Sequence, residues 1–197
     1  ETEEVRLKNV SGIPIDLTGW TLTNRRGERY TIVPLQNAIY PEVQPTQGVF
    51  VLPLNATVRL FSGKSPRGER TFRLNICSGY LNQDFVFNPR LPEECPQPWR
   101  EVIETFEPRC RTFLERAPRC RTVQTLNTPI TTDWFCTGYV ADHLNYAGCV
   151  RDNISKVDFW KNEWWAYLTS SRAIWDSVHD TLLLEDNAGQ TVDRFSY

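Results

Sequence analysis

Residues 4–62 alternate between apolar and polar positions, which is the pattern of half-buried β-strands. The alternation is clearest in Val5–Leu7, Ile15–Leu17 and Thr57–Phe61. Turn-forming sequences such as Ser11-Gly12 separate these runs, and strands spaced by about 8–12 residues are typical of a sandwich or a barrel. We therefore predict that the chain begins with a β domain.

The last part of the chain returns to this pattern. Apolar runs at Thr181–Leu184 and Thr191–Val192 flank Asp186–Gly189, a sequence typical of a hairpin turn. Ala173–Trp175 is predicted to be a further strand. We expect the core of the two β segments to contain Leu17, Trp20, Leu22, Trp175 and Leu183.

Between the β segments the apolar residues follow a helical spacing. In residues 157–168, for example, Trp160, Trp164 and Tyr167 recur at intervals of three or four, which predicts a Trp-rich helix. The fold class is therefore mainly β. We expect a discontinuous β domain, 1–70 with 164–197, interrupted by a mostly α-helical insertion at 71–163.

All six cysteines lie in the predicted insertion, and none has the C-x-x-C spacing of a zinc ribbon or a redox motif. The chain has only two histidines, so few histidine ligands are available for a mixed Cys/His zinc site. We therefore predict three disulfides, which require an oxidising compartment and indicate an extracellular or cell-surface protein. The six are Cys77, Cys95, Cys110, Cys120, Cys136 and Cys149.

A repeated sequence suggests one of the possible disulfide pairings. Pro108–Thr112 recurs as Pro118–Thr122, and each proline is placed to begin or break a helix. If two antiparallel helices face each other, the pairing is nested. The predicted pairs are Cys110 with Cys149, Cys120 with Cys136, and Cys77 with Cys95.

The charge argues against a dedicated nucleic-acid-binding domain, and the hydropathy argues against a membrane-spanning segment. The chain carries 22 basic and 24 acidic side chains, a net charge of −2, whereas nucleic-acid-binding domains usually have a basic excess. No apolar run approaches the ~20 residues that span a bilayer, so no transmembrane segment is predicted. Since the sequence contains no Met, we expect a processed chain whose export signal lies outside it.

Two groups of residues are candidates for a binding surface. The first contains the predicted-helix tryptophans Trp160, Trp164 and Trp165, which could dock the insertion onto the sheet or form an aromatic platform for a glycan or a protein. The second is an arginine cluster with interleaved glutamates, interpreted as a self-paired helix surface or as a site for phosphate or an acidic polymer. The cluster also contains Arg116; its candidate binding residues are Arg109, Arg111, Arg119 and Arg121.

A catalytic site is not predicted from the sequence. His143 and His179 lie outside the sequence contexts of known hydrolase and phosphate-binding motifs, and an even number of cysteines disfavours a free thiol nucleophile. We therefore expect no enzyme activity, no cofactor and no metal. A secreted hydrolase ranks last among the functions considered, and it would require a deep pocket at His143 or at a pair of carboxylates.

Both β segments resemble the lamin-tail domain family, in its bacterial, exported type. The resemblance rests on Glu4–Asn9, Ile15–Leu22 and Thr57–Gly63, and at the other end on Asp180–Leu184 and Val192–Tyr197. It covers about 1–63 and 164–197; the cysteine-rich block is not part of the usual domain. The resemblance implies an immunoglobulin-like β-sandwich that acts as an interaction or scaffold module, with no catalytic residues to carry over.

The leading hypothesis is a non-catalytic extracellular or cell-surface domain that mediates protein–protein contacts, including self-association within a surface assembly. In this hypothesis the disulfide-linked insertion supplies the distinctive surface, because specificity usually resides in segments displayed from a rigid frame. The alternative is a glycan- or nucleic-acid-binding module that uses the Trp-rich helix or the arginine cluster. Of these two ligands, nucleic acid is the less favoured.

Overall fold

The computed structural model describes residues 3–37, 46–170, 172–176 and 178–197. It divides into two compact units, which we call the β unit, Glu1–Leu74 with Lys161–Tyr197, and the disulfide unit, Asn75–Trp160. The fold is mixed, with more strand than helix in the described residues and all of the helices in the disulfide unit. The predicted boundaries, after residues 70 and 163, lie close to these.

Short strands and small sheets make up the β unit. In chain order the strands are β1 (Glu4–Lys8), β2 (Ile15–Asp16), β3 (Thr21–Thr23), β4 (Arg29–Thr31), β5 (Leu35–Asn37), β6 (Thr46–Gly48), β7 (Val51–Leu52), β8 (Thr57–Phe61), β9 (Thr71–Asn75), β10 (Trp160–Tyr167), β11 (Thr181–Glu185) and β12 (Thr191–Ser196). Two four-stranded sheets have the orders β1-β8-β10-β9 and β12-β11-β3-β4, and β2-β7 and β5-β6 form two-stranded pairs. Strand β10 runs parallel to β8, whereas β1 is antiparallel to it.

Apolar residues of both four-stranded sheets share one hydrophobic cluster. It contains Leu22 of β3 and Leu184 of β11 together with Leu60 of β8 and Trp164 of β10. The predicted core residues Leu17, Trp20, Leu22 and Trp175 all belong to it. The β segments therefore bury one continuous core.

Leu183 is the exception among the predicted core residues. It is only half-buried, whereas Leu182 and Leu184 are buried in the cluster. Successive side chains of a strand point to opposite faces, so the core-facing set of β11 is displaced by one residue from the predicted position.

The predicted Trp-rich helix at 157–168 is wrong, because Trp160–Tyr167 forms strand β10. This strand is internal to its sheet and buried on both faces in its second half. Trp164 packs into the main cluster, while Trp165 lies 4.7 Å from Phe61 and 6.3 Å from Phe72, ring centroid to ring centroid. The second half of β10, Trp164–Tyr167, is a continuous apolar run, as is typical of a strand covered on both faces. Such a run fits the spacing of a helix as well as that of a strand.

The predicted strand at Ala173–Trp175 is also absent. Ile174 and Trp175 are buried, but their backbone is irregular. The amide of Ile174 donates to the Glu3 carboxylate at 2.7 Å, and its carbonyl accepts from Arg26 at 3.2 Å. These hydrogen bonds to side chains satisfy the buried backbone of Ile174, which pairs with no strand among the described residues.

The helices among the described residues all lie in the disulfide unit. They are a 3₁₀ helix at Ser78–Asn82, α1 (Arg100–Ile103), α2 (Pro108–Glu115), α3 (Trp134–His143) and α4 (Tyr146–Asn153). Leu114 of α2 and Val140 of α3 meet in a second hydrophobic cluster that also contains Cys110 and Cys136. None of the described helices has the length and apolarity needed to cross a membrane.

The six cysteines form three disulfides, but the predicted pairing is wrong. The bonds join Cys77 to Cys149, Cys95 to Cys120, and Cys110 to Cys136. The nested prediction assumed that both copies of the repeated sequence begin helices. Only the first copy does, since α2 begins at Pro108; Cys120 lies after α2 in a turn, with a positive φ of 56°.

Candidate functional site

A groove runs along α2 in the disulfide unit and is the first candidate site; we call it the α2 groove. Its volume is about 480 Å³. Phe113, Ala117 and Val123 are half-buried in it and pack against the second hydrophobic cluster. The remaining lining residues are Pro108, Arg109, Thr112, Arg116 and Pro129.

Two arginines of the predicted cluster line the α2 groove. Arg109 and Arg116 are exposed, and neither forms an ion pair with any carboxylate in the described part of the chain. The interpretation of a self-paired helix surface is therefore wrong for these two residues. The described lining of the groove contains these two arginines and no aspartate or glutamate, so its charged side chains are both positive.

Arg111 has a structural role instead. It is half-buried, and its Nη2 donates to the carbonyl oxygens of Glu104 at 3.2 Å and Phe106 at 3.3 Å. These bonds tie α2 to the segment that follows α1. Arg111 is therefore not part of the candidate binding surface.

The other two predicted arginines lie outside the groove. Arg119 and Arg121 are exposed and do not line it. A hydrogen bond from Arg90 is the main cause of the lowered pKa of Glu93, and Arg121 adds a smaller Coulombic contribution.

The tryptophans of the predicted surface are mostly inaccessible. Trp164 and Trp165 are 2 % and 0 % exposed, so a ligand could not stack on either ring without opening the β unit. Trp160 is half-buried against Phe159, with ring centroids 5.1 Å apart. The exposed aromatics of the disulfide unit include Trp134 and Phe135, whose rings stack at 3.7 Å.

A second cavity of the disulfide unit lies beside α3 and α4, and we call it the α3–α4 pocket. Its volume is about 250 Å³. His143 of α3 and Asp152 of α4 line it and form a hydrogen-bonded pair, with 2.6 Å between Nδ1 and Oδ2. Other lining residues are Tyr80, Pro96, Gln97, Pro98, Trp99, Val102, Tyr139, Leu144, Cys149 and Asn153.

The junction of α3 and α4 positions the His143–Asp152 pair. Asn145 is the N-cap of α4, and its side chain accepts from the amide of Gly148 at 2.8 Å. A Cβ atom at Gly148 would lie 2.1 Å from the carbonyl oxygen of Asp142, so only glycine permits the helices to approach this closely. The second carboxylate oxygen of Asp152 lies 3.5 Å from Arg151.

A third cavity, of about 360 Å³, lies between the edge strands β1 and β12 of the β unit. Along β12 the register shifts, so that Leu184 pairs with Asp193 but Glu185 pairs with Thr191, leaving one residue of β12 unpaired. Asp193 lies opposite Leu184 and hence on the core-facing side of the sheet. A bulge and an inward-facing charge are features that prevent an edge strand from pairing with another chain.

Cys110, Asp133 and Cys136 place potential metal-ligand atoms within 4.8 Å of one another. The two sulfurs are bonded to each other, and Asp133 is the N-cap of α3, accepting from the amide of Cys136 at 3.0 Å. A disulfide offers no thiolate, so this group is structural.

The sequence identified part of these sites. Arg109 was predicted as a binding residue, whereas the apolar part of the groove, Phe113, Ala117 and Val123, was not. The sequence alone does not predict the pairing of His143 with Asp152, which is nine residues away and on the next helix. A His and an Asp on two adjacent helices joined by a short turn were the available signal.

Comparison with protein-family models, curated proteins and solved structures gives no match for this chain.

Proposed function

We propose that this protein is a non-catalytic extracellular or cell-surface interaction domain whose α2 groove binds an acidic, partly apolar segment of a partner protein. The single observation that carries the proposal is the α2 groove itself, with apolar walls and two exposed arginines lacking carboxylate partners among the described residues. Exposed apolar surface bordered by unpaired charge is typical of protein interaction sites.

We further propose that the β unit is the lamin-tail-like, immunoglobulin-like sandwich expected from the sequence. This proposal is supported by the shared cluster, to which both four-stranded sheets contribute buried side chains. Packing of two sheets over one core is the general principle of β-sandwiches. In this architecture the β unit acts as a frame and the disulfide unit supplies the binding surface.

An oxidising location is part of the proposal. All six cysteines are paired in three disulfides, and disulfides persist mainly in secreted or surface-exposed proteins. The thiol of each cysteine is consequently not available as a nucleophile. Self-association through β12 is not included, because the bulge and Asp193 oppose it.

The partner segment is defined by the chemistry of the groove. Half-buried Phe113 and Val123 favour apolar side chains, and Arg109 and Arg116 favour carboxylates beside them. An exposed arginine gains little from a single ion pair, but two that flank an apolar contact also determine the orientation of the partner. The groove thus selects acidic residues that flank one or two large apolar ones.

The test uses a labelled peptide in which glutamates flank Leu and Phe, measured by fluorescence anisotropy. We expect the double variant Arg109→Glu/Arg116→Glu to weaken binding at least tenfold, whereas Arg119→Glu, an exposed arginine outside the groove, should leave it unchanged. A peptide with lysine in place of glutamate is the matched probe control. Equal affinity of the native chain for the two peptides, or no effect of the double variant, would refute the proposal.

The same assay separates the alternatives. Heparin and single-stranded DNA are polyanions without apolar side chains, and their binding should fall steeply with salt. If they bind more tightly than the acidic peptide and lose affinity in the double variant, the groove is a polyanion site and the protein-partner proposal is wrong.

A further inference from the structure

The cavity between β1 and β12 leaves one face of β12 uncovered, and we call it the β1–β12 cleft. Asp193 pairs with Leu184 and Phe195 pairs with Leu182. Directly paired residues share a face of the sheet, and both leucines are buried in the main cluster, so Asp193 and Phe195 lie on the core-facing side. Phe195 is nevertheless 61 % exposed. The core therefore ends beneath β11, and the cleft continues its apolar surface without a cover.

The walls of the β1–β12 cleft are mainly apolar. Val5 and Leu7 of β1 line it and pack against the main cluster, and Trp175 of that cluster lines it as well. The rings of Phe195 and Tyr197, with centroids 5.7 Å apart, line it from β12. Its volume of about 360 Å³ is within the ~300–1,000 Å³ of small-molecule sites. The cleft therefore favours an occupant with an apolar body.

Asp193 places a negative charge on the inner face of β12. Its carboxylate accepts a hydrogen bond from the amide of Arg194 at 2.7 Å, and no cation of the described residues forms an ion pair with it. An aspartate is ionised at neutral pH, and an ionised carboxylate has only acceptor atoms. A group that binds Asp193 from within the cleft consequently has to be a donor, and a positive charge on it adds to the attraction.

The other charged residues that line the cleft, Glu4, Arg6 and Arg194, belong to the outer faces of their strands. The Glu4 carboxylate accepts from Arg6 and, at 2.7 Å, from Arg59, so these charges largely compensate one another. Arg194 follows Asp193 in β12, and successive side chains of a strand point to opposite faces. The inward-facing charge of the cleft is therefore negative.

We propose that the β1–β12 cleft binds a small apolar amine, whose ammonium group donates to the Asp193 carboxylate and whose hydrocarbon body lies against Val5, Leu7 and Phe195. The nearby aromatic rings also favour a cation, because a ring face attracts positive charge. The cleft shares no lining residue with the α2 groove, so this site is independent of the proposed protein-binding function.

Three probes that differ in the charge of one end group test this inference. They are 2-phenylethylamine, which is a cation at neutral pH, 2-phenylethanol, which is neutral, and 3-phenylpropionate, which is an anion. Isothermal calorimetry or ligand-observed NMR gives the dissociation constants. We expect the amine to bind about tenfold more tightly than the alcohol, the factor that corresponds to ~1.4 kcal/mol for one charge-assisted hydrogen bond, and the anion to bind most weakly.

The variant Asp193→Asn keeps the shape of the side chain but removes its charge, so we expect the amine and the alcohol to bind it equally. Asp158→Asn, at an exposed aspartate outside the cleft, is the matched control and should keep the tenfold preference. If Asp193→Asn does not fold, the carboxyl ¹³C shift of Asp193 in the native protein decides, since the amine should move it and the alcohol should not.

Four results would overturn the inference. Three concern the probes: no binding of the amine up to about 10 mM, equal binding of the amine and the alcohol by the native protein, and a preference for the amine that persists in Asp193→Asn. The fourth is a dimer in analytical ultracentrifugation that Phe195→Asp abolishes, because a second copy of the chain would then cover the cleft.

Discussion

Removing the Cys77–Cys149 disulfide should destabilise the disulfide unit and leave the β unit folded. The bond joins residues 72 positions apart, whereas the Cys95–Cys120 bond spans 25. The loop-closure relation gives a loss of about 4.4 kcal/mol at 25 °C for the longer closure and about 3.5 kcal/mol for the shorter one. Both cysteines of the longer bond lie within the disulfide unit, so the loss should be confined to it.

Two optical signals report on the two units separately. Every described helix lies in the disulfide unit, so circular dichroism at 222 nm follows this unit. The four tryptophans of the β unit are buried, whereas Trp99 and Trp134 of the disulfide unit are exposed, so a change in fluorescence wavelength follows mainly the β unit. Urea titrations with both signals therefore measure two transitions in one sample.

For the double variant Cys77→Ala/Cys149→Ala we expect a shift of the 222-nm midpoint by about 2 M urea, which is ~4.4 kcal/mol divided by an m-value of ~2 kcal/mol/M. The fluorescence midpoint should stay within the error of the native value. The matched variant Cys95→Ala/Cys120→Ala should shift the 222-nm midpoint less. A common shift of both signals would refute the assignment of the three disulfides to an independently folding unit.

Two further predictions concern the β unit. Trp165→Ala should cost about 3–5 kcal/mol, because it leaves a cavity at a fully buried ring, whereas the exposed Trp134→Ala should stay within about ±0.5 kcal/mol; fluorescence-detected urea titration measures the first and circular dichroism the second. Hydrogen bonds from Arg59 lower the pKa of Glu4, so this pair stabilises the fold above the unfolded-state pKa of about 4.3 and loses its contribution as the pH falls through the lower folded value. Urea midpoints measured from pH 6 to pH 2 should therefore fall more steeply for the native protein than for Glu4→Gln, and equal slopes would contradict this assignment.

The strands in which buried and more exposed residues alternate were predictable from the sequence because their information is local. In β8, Val58 and Leu60 are buried and alternate with half-buried Thr57 and Arg59, which is the pattern that the sequence displays. The hairpin of β11 and β12 was likewise predicted from its turn residues. An alternation of apolar and polar residues with a period of two can be recognised without knowing which strand lies beside it.

Strand β10 could not be recognised in this way, because its pattern depends on two layers of neighbours. Trp164 is buried by the core of the β unit and Trp165 by Phe61 and Phe72 on the other face. With both faces covered, the alternation disappears. The aromatic and β-branched preference of strands was the local signal that favoured the correct interpretation over a helix.

The prediction of the disulfide pairing was wrong for a related reason. Sequence similarity around Cys110 and Cys120 suggested equivalent environments, but one lies within α2 and the other in a left-handed turn beyond its end. Pairing depends on which Cα atoms come within about 6 Å, and this depends on the path of the turn after α2. Such a path is a tertiary property that two similar pentapeptides do not encode.

The distribution of the tryptophans between the units bears on why two candidate sites, the α2 groove and the α3–α4 pocket, lie in the disulfide unit. In the β unit all four tryptophans are used for the core, and Trp164 and Trp165 have no surface left for a partner. In the disulfide unit the crosslinks replace part of that core. The Cys110–Cys136 bond joins α2, which borders the α2 groove, to α3, which borders the α3–α4 pocket.

A unit held together by covalent bonds can leave apolar side chains half-buried at its surface, because its stability depends less on burying each of them. The same bonds restrict the movement of α2 and α3 before any partner arrives. Because a rigid site loses less conformational entropy on binding, a groove as small as this one can still bind specifically. The clustering of the cysteines and the location of both candidate sites are therefore two consequences of one design, in which disulfides take over the stabilising role that buried tryptophans have in the β unit.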